Sequence, residues 1–487
     1  MSLKSVIYTV LTGVVVFLTA ACTPKPSRPV QVGELPPMYP DYTDVWIPCN
    51  IAPLNFLLRG DVEAVEVRAV GDGHEIVVNS RGGEVCFDES EWKELLRASQ
   101  GKTVRVVVTA LTDGQWREYK SFSWHVTTDT IDPYLTYRLI EPDYEIYQNL
   151  TLKERCLETF DERSISDYGL VGNRCMNCHT YSSQNPSLSA LYVRGEGGGM
   201  ILNRDGRLSK LNVKADDMVS GSVYFAFSPS GKYITFSTNV IIPAFHARPS
   251  KRLEVFDRVS DVYVADIESN TIVRSALLSD TTAFETFPTF SPDGRYIYFC
   301  TAPKVNLPQD LKALRYSLCR VGFDERTGTI GTVVDTLYHA RTEGQSVCHP
   351  RVSPDGQYLV YSVADYGTFP IWHPEADLQM MNLRTGEKDK MEKVNSHKSD
   401  TYHSWSSNSR WLVFASKRDD GLYGKPYFTY VDRQGKAHKP FVLPQRDPLF
   451  YDHHLKSFNA PELGKGRLPF EASDVRQAVK GAAVDFK

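Results

Sequence analysis

Pro288-Thr-Phe-Ser-Pro-Asp-Gly-Arg-Tyr-Ile-Tyr-Phe-Cys-Thr301 is the stretch that decides the fold. Two β-rich runs flank a tight Pro-Asp-Gly turn, in which Pro presets φ and Gly supplies the positive φ that the turn needs. The same pattern returns as Phe225-Ala-Phe-Ser-Pro-Ser-Gly-Lys-Tyr-Ile-Thr-Phe-Ser-Thr238, as Pro350-Arg-Val-Ser-Pro-Asp-Gly-Gln-Tyr-Leu-Val-Tyr-Ser-Val363 and as His403-Ser-Trp-Ser-Ser-Asn-Ser-Arg-Trp-Leu-Val-Phe-Ala-Ser416. Their serines, 228, 291, 353 and 406, lie 63, 62 and 53 residues apart. Periodicity of this kind marks repeated supersecondary units. A second β-rich run follows each hairpin and is split by its own turn, such as Arg326-Thr-Gly328 or Arg384-Thr-Gly386. Two hairpins per period make a four-stranded antiparallel blade, and blades in series make a propeller.

On these hairpins the chain resembles the TolB-like, WD-repeat-like β-propeller family over residues 189–455. The resemblance implies a fold and no reaction. The fourth repeat departs from the pattern, with Ser407-Asn408-Ser409 in place of Pro-Asp-Gly. A further hairpin turns at Asn203-Arg-Asp-Gly206 and belongs to another blade. Five blades are expected, with six as the alternative.

Ahead of the repeats, Asp61-Val-Glu-Ala-Val-Glu-Val-Arg68 and Thr103-Val-Arg-Val-Val-Val-Thr109 alternate apolar and polar residues between turn clusters, which predicts an immunoglobulin-like β-sandwich over 42–131. Residues 89–99 read as a helical insertion. Residues 132–188 read as a linker with helix signals around 152–160, and 456–487 as an unassigned tail. The fold class is therefore all-β, a sandwich followed by a propeller.

Within the linker, Cys175-Met176-Asn177-Cys178-His179 is a C-x-x-C-H, the attachment signature of a c-type haem. Two thiols can add to the two vinyl groups, and the imidazole that follows can ligate iron, so one covalent haem is expected with His179 as its proximal ligand. Met200, His246 and His403 are the candidates for the second axial ligand. Long connections at 239–260, 302–315, 364–377 and 417–426 gather on one face with His349, Arg351, Trp372, His373 and Arg418, which are assigned to a basic, aromatic partner-binding depression. Nine cysteines in 487 residues are too sparse for a disulfide scaffold.

The first residues form an address. Lys4, an apolar stretch over 6–18 and small residues before Cys22 read as a signal peptide over 1–21. Thr19-Ala-Ala-Cys22 resembles the lipobox of bacterial lipoproteins, which implies lipidation at Cys22 and a membrane anchor. The proline-rich stretch after Cys22 reads as a tether over 22–41. The whole chain is similar to bacterial lipoproteins in which a β-domain, a C-x-x-C-H and a propeller occur together, and outer-membrane attachment facing the periplasm is the expectation.

A balance of 55 Lys+Arg against 59 Asp+Glu, net charge -4, offers no field for nucleic acid. The sequence has no G-x-S-x-G, H-E-x-x-H or Walker loop. It therefore reads as an envelope protein that binds a periplasmic or redox partner, with a haem for electron transfer or redox sensing. The alternative is a haem-free interaction scaffold.

Overall fold

The computed structural model describes residues 24–142, 149–248 and 251–487. The signal peptide and Cys22 lie outside the described residues, as do the side chains of His246, Arg248 and Arg252. Among the described residues no helix is long and apolar enough to cross a membrane.

The hairpins form as their sequences require. In Ser291-Pro-Asp-Gly, the Ser291 hydroxyl donates to Asp293 Oδ1 at 2.6 Å and accepts from the Tyr296 N–H at 2.9 Å. Asp293 also accepts from the Arg295 N–H at 3.1 Å, so three bonds close one short loop. Ser353 with Asp355 and Ser406 with Asn408 repeat this circuit. Gly294 and Gly356 take φ of 70° and 72°, and in the divergent repeat Ser409 adopts 62° instead. Asn408 preserves the circuit there, and the turn is kept although Pro, Asp and Gly are all absent.

Each hairpin opens a sheet of four antiparallel strands. Ser222–Phe227, Ala283–Phe290, Ser346–Val352 and Asp400–Trp405 are the innermost strands of four such sheets. A fifth sheet runs from Met176–Ser182 through Asn185–Val193 and Gly199–Arg204 to Arg207–Asn212, and Ala483–Asp485 adds a parallel strand at its outer edge. The sixth is built from both chain ends: Ser457–Gly464 is innermost and pairs with Tyr134–Ile140, followed by Thr151–Cys156 and Glu162–Asp167. The six innermost strands lie side by side in a closed ring.

Four expectations change. The count of five blades becomes six sheets, because the closing sheet carries no Ser-Pro-Asp-Gly turn and is split across more than 300 residues of sequence. The segment 132–188 is not a linker: it supplies three strands of the closing sheet and the inner strand that bears the C-x-x-C-H motif. Residues 152–160, expected to be helical, include the strand Thr151–Cys156, with Leu152 in a core between sheets. The tail 456–487 likewise holds the closing strand and the helix Ala472–Lys480, whose Val475 and Val479 are buried.

The N-terminal region is β-structure with one helix. A seven-stranded sheet is centred on Thr103–Thr112, and a three-stranded sheet joins Met38–Tyr39, Phe56–Leu58 and Glu84–Val85. The helix Glu89–Ala98 follows Glu84–Val85 and is capped by Asp88, which accepts from the N–H groups of Ser90 and Glu91. Its buried Trp92 packs edge-on against Trp124 at 5.2 Å. This core is continuous with that of the sheet opened by Asp400–Trp405, through Trp405, Trp411 and Phe428. Polar clamps add direction to the contact: Trp411 Nε1 donates to the Asp129 carbonyl, and Ser407 donates twice to Asp132.

Ending the chain at Lys456 removes the closing strand and leaves the backbone groups of Tyr134–Ile140 without partners on one side. The truncated protein is expected to lose its cooperative thermal transition in differential scanning calorimetry. A native-like transition would show that the ring holds without this strand.

Candidate functional site

The same irregularity recurs in the inner strands. Tyr224, Phe287, His349 and Tyr402, each four residues before its turn serine, take φ between 48° and 53°, and Ala460 of the closing strand takes 47°. Such values are rare for residues with a Cβ and accompany β-bulges here, because the strand register shifts at each of these points. Four of these residues, Tyr224, His349, Tyr402 and Ala460, line one cavity at the centre of the ring.

The C-x-x-C-H motif opens onto this cavity. Cys178 and His179, on the inner strand Met176–Ser182, form part of its wall. The Tyr224 N–H donates to Cys178 Sγ at 3.3 Å, tying the motif to the next inner strand. Cys175 lies just before the strand, packed against a core between sheets, and burial pushes its thiol up. All eight described cysteines are free. His179 is pushed down to about 3 by burial and by Arg138, with weak opposition from the Thr136 backbone. His349 is held well below the usual range by burial, then by Arg351 and His403. Neither ring nitrogen of either residue makes a hydrogen bond of normal geometry, and all four atoms are shielded from solvent. Both imidazoles are therefore neutral at pH 7 with donor and acceptor capacity unused, an arrangement that costs stability unless something else engages them.

The walls are aromatic and basic. Phe369, Trp372 and Phe458 line the cavity with Tyr224 and Tyr402, and Arg138, Arg194, Arg351 and Lys417 bring positive charge. Lys417 Nζ sits 3.1 Å from the centre of the Trp372 ring. Glu462, two residues beyond Ala460, is pushed up to about 7 by burial, against the pull of Arg351. It accepts from the Thr180 hydroxyl at 2.8 Å.

One wall is an arm. The strands Tyr233–Arg248 and Lys251–Asp266 form one continuous hairpin of 16 residues a side where a loop over 239–260 was expected. Its Ile241, Pro243, Leu253 and Val255 face the cavity. A buried latch fixes it to the segment after Tyr358–Ala364: His373 Nε2 meets Glu254 Oε2 at 3.0 Å and His373 Nδ1 meets Glu375 Oε1 at 2.8 Å. Lys251 completes the cluster, 3.1 Å from Glu254 and hydrogen-bonded to Tyr366.

The sequence candidates divide accordingly. Cys178, His179, His349, Arg351 and Trp372 meet in the cavity. Met200 does not, because its register opposite Tyr192 and Leu211 buries it in the core between its own sheet and the one opened by Ser222–Phe227, and it is corrected from ligand to core residue. His403 likewise does not line the cavity: it is buried with its Nε2 2.9 Å from the Val360 carbonyl of the neighbouring sheet. His373 is buried in the latch, away from any partner surface. Arg418 is engaged by Asp400 at 3.0 Å and by the Val394 carbonyl, and its guanidinium lies over Tyr427. Arg138, Arg194, Tyr224, Tyr402 and Lys417 were not singled out from sequence. The position four residues before each turn serine was the signal available for the two tyrosines.

No protein-family model matches the chain. No curated protein matches it. Among solved structures it is similar to an oligogalacturonate lyase from Vibrio parahaemolyticus, at 10% identity over 78% of this chain and 94% of that one, with a TM-score of 0.32. It is also similar to prolyl oligopeptidase B from Galerina marginata, at 13% identity over 64% of this chain and 45% of that one, TM-score 0.35. The β-propeller domain of the Trilobed protease from Pyrococcus furiosus matches at 12% identity over 70% and 69% of the two chains, TM-score 0.24. Likenesses this slight transfer no activity, and the propeller rests on the chain's own sheets.

His373 gives the arm a pH dependence. Burial alone would lower its pKa, but hydrogen bonds to Glu254 and Glu375 outweigh burial and raise it above 6.5. Its charge therefore stabilises the fold fully below pH 6.5 and ceases to do so as pH rises through the raised value. Glu375, held down to about 2 by His373 against its burial, keeps its contribution until far lower pH. Resistance of the arm to limited proteolysis is expected to fall between pH 6 and 9, and His373→Phe should flatten that dependence. Equal cleavage of the native protein across this range would contradict the latch.

Proposed function

We propose that this protein is a propeller lipoprotein of the cell envelope that holds one c-type haem in its central cavity and exchanges or senses electrons with a periplasmic partner. The carrying observation is that Cys178 and His179 of the C-x-x-C-H face the axial cavity, where neither imidazole nitrogen of His179 makes a hydrogen bond of normal geometry.

The donor set fits the group. Cys175 and Cys178 are free thiols, and each S–H can add across a vinyl double bond without an oxidant. A neutral imidazole is the form that ligates iron, and burial keeps His179 neutral. The guanidinium groups of Arg194 and Arg351 line the cavity, and they complement the acidic edge of a porphyrin. Phe369, Phe458 and Tyr402 supply apolar walls that exclude water. A haem held in this way supplies one-electron exchange, and the protein sets its ligands, burial and access.

In this reading Cys22 carries the lipid and the prolines after it space the domain from the outer membrane on its periplasmic side. The N-terminal β-region, taken as an immunoglobulin-like sandwich, braces one side of a TolB-like propeller of six blades. The partner docks at the mouth of the cavity, beside the arm.

One observation favours a second reading, a haem-free interaction scaffold. The cavity holds about 190 Å³, below the roughly 300–1,000 Å³ of most ligand pockets.

A reduced pyridine haemochrome spectrum decides between them, on protein made in a host that matures c-type cytochromes. One covalent haem per chain is expected, falling to none in Cys175→Ala, Cys178→Ala. A native protein without haem under these conditions would leave the scaffold reading.

A further inference from the structure

We infer that His349 is the second axial ligand of the group that Cys175, Cys178 and His179 hold, an inference that rests on the haem reading above. His349 is 6% exposed and sits on the inner strand Ser346–Val352, three sheets round the ring from Met176–Ser182 and so opposite it. It occupies the bulge position whose counterparts on the other inner strands are Tyr224, Phe287, Tyr402 and Ala460, and it is the one imidazole in that set.

Its surroundings hold the ring in place and satisfy neither nitrogen. Phe287 lies 4.2 Å away between ring centres, Tyr402 4.6 Å and Tyr224 6.1 Å. Tyr224 is also the residue whose N–H bonds Cys178, so the motif and His349 share a neighbour. Leaving a buried imidazole with both nitrogens unbonded is costly, and a metal ligand is among the roles that account for such a group.

Among the described side chains, the competing donors are engaged or elsewhere. The cavity lining contains no methionine. Lys417 Nζ lies over the Trp372 ring, and His403 is not part of the cavity wall. Among the described side chains, His349 is the one imidazole that lines this cavity beside His179.

His349→Phe tests this with little change of shape, since Phe already fills the equivalent place on the preceding inner strand. His349→Ala opens a space that imidazole from solution can enter. The ferric native protein is expected to show a low-spin electron paramagnetic resonance signal, which both variants should lose in favour of a high-spin one. Added imidazole should restore the low-spin signal in His349→Ala and leave His349→Phe unchanged. Covalent haem whose low-spin signal persists in both variants overturns the inference and leaves the haem reading intact. A native protein lacking covalent haem overturns both. Circular dichroism and melting of each variant separate loss of the ligand from loss of the fold.

Discussion

The structure depends on one pairing, between Ser457–Gly464 near the end of the chain and Tyr134–Ile140 near the start of the propeller. Five of the six sheets draw their four inner-to-outer strands from contiguous stretches, and this one takes its innermost strand from a distant segment. Without it the inner strands Met176–Ser182 and Asp400–Trp405 would each face a gap, and the axis would open to solvent. With it, Glu462 of the closing strand accepts from Thr180 and from the Tyr181 N–H. The strand carrying the C-x-x-C-H motif is thus seated by the strand that closes the ring.

Closure also explains where the chemistry gathers. Inner strands of a propeller converge, and a regular strand would turn alternate side chains toward the axis along its whole length. The bulges at Tyr224, Phe287, His349, Tyr402 and Ala460 place one residue of each strand in a left-handed conformation at a matching height. Strained backbone of this kind costs of order 1–3 kcal/mol at each position and persists where the surrounding structure enforces it. The ring repeats that cost five times among the described residues and obtains an axial cavity whose wall is set residue by residue. Basic groups, two unbonded imidazoles and a thiol then share a space that the arm of Tyr233–Asp266 and the His373 latch border.

Local signals were legible in the sequence and distant ones were not. The hairpins could be read because the circuit of Ser291, Asp293 and the Tyr296 N–H lies within six residues, and the circuit even survives the change to Ser-Asn-Ser. The C-x-x-C-H was equally local. The closing sheet was missed because its inner strand lies more than 300 residues from its neighbour and carries no turn motif. Thr151–Cys156 was misread as helix because tertiary pairing with Tyr134–Ile140 outweighed a weak helical pattern. Among the candidate ligands, spacing put Met200 near His179, but strand register turned it inward. His349 and His403 occupy neighbouring positions of successive repeats, with His349 four residues before its serine and His403 three. That one-residue offset sends the first to the axis and the second between sheets, and it could be read only once the bulge was seen.

The central claim is that the axial cavity holds iron beside His179. Anomalous diffraction at the iron absorption edge, on crystals of protein matured in a cytochrome-competent host, addresses it directly. The account predicts a single anomalous peak on the propeller axis, within ligand distance of His179 and enclosed by the six inner strands. A peak at the surface, or none in crystals of fully folded protein, would contradict it.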